Sequence, residues 1–511
     1  MRPSKRIIVN TIAQYTRSIF NMVLALISTR IILKSLGVDD YGIYSVVAGA
    51  VSLLSFITSS LIITTQRFLS VAQGEKNNDK SKIIFNTSLI IHILVGFGVV
   101  LVMEALYPFL MNGFLNIPNS RLFSAKMLYH TIVCVVFLTL VTSPFRAVIV
   151  SHENIVYISV IEVLDAVLKL LIALSLVLFK SDKLIVYGIL LIGIQLFNFL
   201  ALSFFAYRKF QECIRPRLSL VDKSYVKGIF SFAGWTMYNI GCNYGRNQGI
   251  AFALNKAFNT AINAAYGLGF QVSGALSALS QSLANAINPQ LMKSEGAGNR
   301  ARMLRFAEIE SKFSFFMMAA LAVPAIFEIE RLLQIWLGEV PEYAALFCRM
   351  VMLGVMCDML TFGLGPANQA VGNIRNYTLL IFTTKLLTLP VVIALLILKC
   401  PLYSVAITYV AFELLSSLFR IPFLHKTAGL SYREFYHKVF QKEVIPISGL
   451  LLSCFLCVTL IDIDNRFLFT FPVSIIVFVI FIYCFGLCED EKEILYGYLL
   501  KIRKKLNYGK D

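Results

Sequence analysis

Fourteen hydrophobic stretches, each long enough to cross a bilayer, fill this chain from end to end. A helix needs about 20 mostly apolar residues to cross the hydrocarbon layer. The spans read near 8–33, 42–66, 83–111, 122–145, 155–179, 184–207, 229–254, 260–288, 311–337, 344–366, 376–398, 401–424, 444–462 and 468–487. Almost nothing remains for a soluble domain, so function has to reside in the polar groups the spans carry. The expected fold is an all-α polytopic membrane protein of about fourteen transmembrane helices.

The formal charge of +17 invites a nucleic-acid reading, but its distribution records topology instead. With the amino end in the cytoplasm, basic residues concentrate in alternate connections: 67–82, 208–227, 293–312, 420–442 and the tail after Glu489. Basic residues resist translocation, so this alternation predicts an even span count with both termini cytoplasmic. No cleavable signal stands out at the amino end. The ten cysteines are scattered, and the Cys454-x-x-Cys457 pair sits in a hydrophobic span with no second pair, which reads as packing rather than metal or redox chemistry.

The chain also contains an internal repeat. A shift of 222 residues brings Tyr44 onto Tyr266, Leu69 onto Leu291, Gly74 onto Gly296, Asn77 onto Asn299, Leu115 onto Leu337, Pro144 onto Pro366 and Asn154 onto Asn376. Six spans per repeat give both copies the same orientation, so two six-helix bundles related by a pseudo-two-fold along the membrane normal are expected. The boundaries read as 1–210 and 211–430, followed by two additional helices and a basic tail over 431–511. Two facing bundles would allow alternating access.

The first helix of each repeat is polar along one face. Span one carries Asn10, Gln14, Arg17, Ser18 and Asn21; span seven carries Trp235, Asn239, Asn243 and Arg246. Neither arginine has a carboxylate within helical reach on its own span. Two readings follow. The arginines line a wet cavity and bind an anion, which suits the two-pronged guanidinium. Alternatively they pair with acids of neighbouring spans, among Glu162, Asp165, Asp358 and Glu413. Span five adds Glu162, Asp165 and Lys169 on one face; Asp165 and Lys169 suit an ion pair, leaving one carboxylate to bind H⁺ or Na⁺. Lys385 on span eleven is expected to join the anion site or pair with Glu162. Gly241, Gly245 and Gly249 suit close helix packing. Pro324, Pro366 and Pro390 permit bending. No P-loop occurs, and Asp462 and Asp464 lie in a small external loop too short for a catalytic domain.

The segments "LGVDDYGIYSVV" (36–47), "QRFLSVAQGEKNNDK" (66–80), "SPFRAVIVSHENIVYIS" (143–159) and "FAGWTMYNIG" (232–241), with fourteen spans in two repeats, resemble the O-antigen and polysaccharide flippases of the multidrug/oligosaccharidyl-lipid/polysaccharide exporter superfamily. The resemblance covers essentially the whole chain. It implies a bacterial inner-membrane flippase that carries undecaprenyl-diphosphate-linked oligosaccharide to the periplasmic leaflet, and a cationic cavity lined by Arg17 and Arg246. It implies no bound cofactor. Its partners would be bilayer lipids and the polymerase and glycosyltransferases of the same pathway, with no nucleic acid. A cation-coupled multidrug exporter of the same superfamily and a membrane polysaccharide polymerase are the alternatives.

Overall fold

The computed structural model describes residues 55–111, 119–258, 260–337 and 340–493, together with single positions between Asn10 and Val47. Leu115, much of the 36–47 segment and the basic tail lie outside the described residues. All described positions between Asn10 and Val47 are helical. The helices that follow are α1 (Ser55–Gly74), α2 (Asn78–Phe109), α3 (Leu122–Ser151), α4 (Ile155–Ser175), α5 (Lys183–Lys209), α6 (Lys223–Ala257) and α7 (Thr260–Gly296). They continue with α8 (Arg300–Phe327), the short α9 (Ile329–Leu337), α10 (Ala344–Met359), α11 (Leu364–Val371), α12 (Ile374–Ile397) and α13 (Leu402–Ala428). The last two are α14 (Tyr432–Leu460) and α15 (Phe467–Gly486). No strand occurs among the described residues.

This all-helical design follows from the solvent, because hydrocarbon offers no partner for a backbone amide and a helix satisfies its own. Among the described residues eight helices are long and apolar enough to cross a membrane, nine if α10 and α11 form one span bent by 47°. The protein is therefore a multi-pass membrane protein. Outside that set stand α4, with Glu162, Asp165 and Lys169, and the polar α6 and α7. Some candidate site residues thus lie on helices interrupted by charge or polarity, whereas Lys385 lies on α12, which is long and apolar enough to span.

The chain divides into two compact units. Of the described residues, the first holds those from Asn10 to Ile240 and the segment Asn288–Asn299; the second holds Gly241–Ile287 and those from Arg300 onward. In the first, Ile91, Leu128, Tyr129 and Ile132 form a core with Ile229 and Ala233, while Phe85, Phe145 and Leu202 anchor a neighbouring cluster. In the second, Phe316, Phe347, Val351, Tyr409, Cys454 and Phe478 interlock, so α14 and α15 pack into that unit's core. Cys454 is a buried free thiol there, as its apolar span suggested.

The repeat is visible in the helix ends. Gly74 closes α1 and Gly296 closes α7; Asn78 opens α2 and Arg300 opens α8; Leu122 opens α3 and Ala344 opens α10. Each pair is 222 residues apart. Beyond α3 the spacing changes. Asn154 caps α4 and Asn373 caps α12, with nearly the same backbone angles (φ −85°, ψ 49° and φ −82°, ψ 58°). The preceding residues, Glu153 and Gly372, both take positive φ, 62° and 96°. The match of Asn154 to Asn376 is therefore corrected to Asn373: the second copy is three residues shorter at this turn, and a gap-free offset does not hold throughout.

Gly74 and Gly296 touch reciprocally. A Cβ on Gly74 would lie 2.2 Å from the Lys293 carbonyl oxygen, and one on Gly296 would lie 2.1 Å from the Val71 carbonyl oxygen. Val71 and Lys293 are themselves repeat mates, so α1 and α7 cross in a locally two-fold way at a point where only glycine fits.

Outside the spans, Asp182 ties one rim of the first unit together. It accepts from Leu184 N at 3.0 Å, Ser124 Oγ at 2.6 Å and Arg121 Nη1 at 2.8 Å, while Arg121 also grips Asp40. Burial pushes the Asp182 carboxyl up, but the Ser124 and Arg121 hydrogen bonds and the Arg121 charge outweigh it and hold the group below its ordinary value. A depressed folded-state carboxyl stabilises above its unfolded value, and that contribution disappears as pH falls through the folded value. Asp182→Ala is expected to cost about 1 kcal/mol near neutral pH, chiefly through the lost helix cap. The difference from wild type should shrink below about pH 4, read by thermal unfolding across pH.

Candidate functional site

The second unit contains a buried chain of alternating charges. Arg246 on α6 donates to Glu413 Oε1 on α13 at 2.5 Å, and its guanidinium stacks over the Tyr409 ring with Nη2 donating to the phenol oxygen at 3.2 Å. Lys385 on α12 lies 2.8 Å from Glu413 Oε2, without hydrogen-bond alignment, and donates to Asp358 Oδ1 on α10 at 2.7 Å. Arg420 on α13 donates to the same Asp358 oxygen at 2.5 Å and to the Asp358 carbonyl at 3.1 Å. Arg246 and Glu413 are only 3% and 5% exposed at their side chains. Ions this deep persist because each has opposite partners. Helical spacing explains the assembly: Tyr409, Glu413 and Arg420 recur at four and seven residues, so α13 presents them on one face.

The first unit has a parallel arrangement with different residues. Glu162 on α4 accepts from Arg17 with one oxygen and from Arg146 on α3 with the other. One turn further, Asp165 pairs with Lys169 at 2.7 Å and accepts from Asn198 Nδ2 on α5 at 2.7 Å. These ion pairs thus set three cations against two carboxylates in each unit: Arg17, Arg146 and Lys169 against Glu162 and Asp165, and Arg246, Lys385 and Arg420 against Glu413 and Asp358. Both clusters keep one positive charge in excess.

No family model matches the sequence, and no curated protein matches it. Solved structures do. A MATE transporter in its bent conformation superposes with a TM-score of 0.72 at 12% identity, over 84% of this chain and 98% of that one. The fold is that of the MATE transporters. The MATE transporter ClbM in complex with Rb⁺ gives 0.67 at 14% identity, over 85% of this chain and 96% of that one. A MOP superfamily transporter from Pyrococcus furiosus, described by the reverse polarity of its binding pocket, gives 0.67 at 12% identity, over 84% of this chain and 96% of that one. At these identities the likeness is one of fold.

On this MATE fold the expected site residues separate. Arg17 and Arg246 are not the unneutralised cations of the cavity-lining reading; each is paired with an acid of a neighbouring helix, Glu162 and Glu413. No carboxylate of span five is left over for a coupling ion, because Glu162 holds two arginines and Asp165 holds Lys169. Lys385 pairs with Asp358 and Glu413, not with Glu162. Gln14 is buried with its Oε1 unpartnered among the described residues, and the half-buried Asn21 has an unpartnered Oδ1. Trp235, Asn239 and Asn243 are half-buried along the same face of α6 that carries Arg246.

Arg146 and Arg420 were missed as site residues for one reason. The MATE-fold helices run beyond the apolar stretches, α3 to Ser151 and α13 to Ala428, so both residues belong to helices rather than to basic connections. The signal available was their register: Arg420 lies seven residues after Glu413, two helical turns along the same face.

Proposed function

We propose that this protein is an alternating-access transporter of an anionic amphiphile, namely undecaprenyl-diphosphate-linked oligosaccharide moved from the cytoplasmic to the periplasmic leaflet of a bacterial inner membrane for O-antigen or capsule synthesis. The observation that carries the reading is the excess cation in each cluster, deeply buried in the second unit and part-exposed in the first. In the second unit five ions in a row, with cations at both ends, satisfy one another and still attract a diphosphate. The resemblance of the sequence segments to polysaccharide flippases supports the same substrate class. Polar side chains on the same helix faces as Arg17 and Arg246, namely Gln14, Asn21, Trp235, Asn239 and Asn243, suit sugar hydroxyls and ring faces.

A second reading, export of cationic drugs, is favoured by the fold neighbours, one of which is described as a multidrug resistance MATE family transporter. A deletion strain separates the two. The flippase reading expects lipid-linked units trapped on the inner leaflet and loss of surface polysaccharide. The drug-export reading expects sensitivity to cationic dyes with intact polysaccharide. For the residues themselves, Arg17→Ala and Arg246→Ala should leave protein in the membrane and abolish surface polysaccharide. Normal polysaccharide in both variants would overturn their assignment.

A further inference from the structure

Glu310 lies deep in the second unit and takes no part in the charge chain. Its side chain is fully buried, and neither carboxylate oxygen has a hydrogen-bond partner among the described residues. It faces the break between α10 and α11, where the span bends by 47°. A Cβ on Gly363, in that break, would lie 2.9 Å from Glu310 Cβ and 2.2 Å from the Ala307 carbonyl oxygen. The Gly363 amide, freed by the bend, donates to Ser311 Oγ at 3.0 Å. Thus α8 and the broken span meet at backbone contact around one carboxyl group.

Apart from Glu443, the charged groups named below on the surrounding elements are engaged elsewhere. Asp358 on α10 is held by Lys385 and Arg420. On α8 itself, Lys312 pairs with Glu491 at 2.6 Å and Glu308 with Arg305 at 3.1 Å. On α14, Lys438 lies 3.2 Å from Glu434, and Glu443 is buried with one oxygen unpartnered. The segment α11 carries no titratable side chain. An ionised carboxylate buried without a partner costs several kcal/mol, so such a group takes up a proton instead. Broken membrane helices are where transport proteins place coupling ions, because their ends leave backbone groups to serve them.

We propose that Glu310 is a proton-binding site of the transport cycle. It is protonated while α8 is packed on the α10–α11 break. When that contact opens, its O–H bond breaks, the proton passes to entering water, and the carboxylate left behind is hydrated. The role in transport rests on the transporter reading above; the protonation itself does not.

Two measurements on the purified full-length protein need no substrate. Infrared difference spectroscopy should show the C=O stretch of a protonated carboxyl at neutral pH that Glu310→Gln removes and Glu310→Asp shifts. Deuterium exchange of Leu364–Val371, corrected for the intrinsic pH dependence of exchange, should rise by about tenfold or more at alkaline pH in wild type and stay flat in Glu310→Gln. Glu443→Gln should leave this rise intact. An infrared spectrum unchanged by both substitutions at Glu310, or an exchange response equal in wild type and Glu310→Gln, would overturn the proposal. Failure of the polysaccharide and dye assays, with these two results as expected, would sink the transport reading and leave the proton site standing.

Discussion

Glu413→Ala is expected to destabilise the protein by about 3–5 kcal/mol, since it strips the shared counter-charge from two buried cations at once. Arg246 loses its only acid partner among the described residues, and Lys385 keeps Asp358 alone. The expected sign is the same for Glu413→Gln, with a smaller loss because the amide still accepts a hydrogen bond. Thermal unfolding of the purified protein reads the effect. The double variant Glu413→Gln with Arg246→Gln should recover part of it, since paired neutral groups replace a lone buried ion. No recovery would mean that Glu413 acts mainly through Lys385.

Gly74→Val and Gly296→Val should each cost ~3 kcal/mol, and for the same reason. The obstructing atoms are backbone carbonyl oxygens, which cannot rotate aside as a side chain can. The two single effects should not add. Once α1 and α7 separate to admit one new side chain, the mate gains room as well, so a Gly74→Ala, Gly296→Ala double variant should fall short of the sum. Gly98, in α2, has open space around it, and Gly98→Ala should be neutral or stabilising by up to about 1 kcal/mol. Comparable losses at Gly98 and Gly74 would show that the crossing is not the cause.

The fold was legible in the sequence because hydropathy reports it directly: the apolar stretches with described residues fall on helices, 311–337 and 344–366 on two each, and the repeat offset locates three helix boundaries in both copies. Less legible was where helices end. An apolar stretch marks the part of a helix in lipid, whereas α1, α3, α7, α8 and α13 continue as helices past it. That difference hid Glu310, which the hydropathy reading assigned to a basic connection ahead of a span starting at 311, and it hid Arg146 and Arg420. The three-residue deletion before Asn373 was invisible to an alignment resting on few identities, and it changes which residues of α4 and α12 correspond. Partner choice was the hardest to read. Periodicity places Arg17, Glu162 and Lys385 on helix faces, but which faces meet depends on how the helices pack, and that is written in shape rather than in spacing. The Asp165 and Lys169 pair was foreseeable because it needs one helix only.

The most direct test of the account is native mass spectrometry of the purified protein with undecaprenyl diphosphate and, separately, a cationic dye. The account predicts that the diphosphate lipid binds, that removing a cation in Arg17→Gln or Arg246→Gln weakens binding about tenfold, and that the dye binds poorly. Tight binding of the dye, with diphosphate lipid bound equally by wild type and both variants, would contradict the claim that the excess positive charge selects an anion.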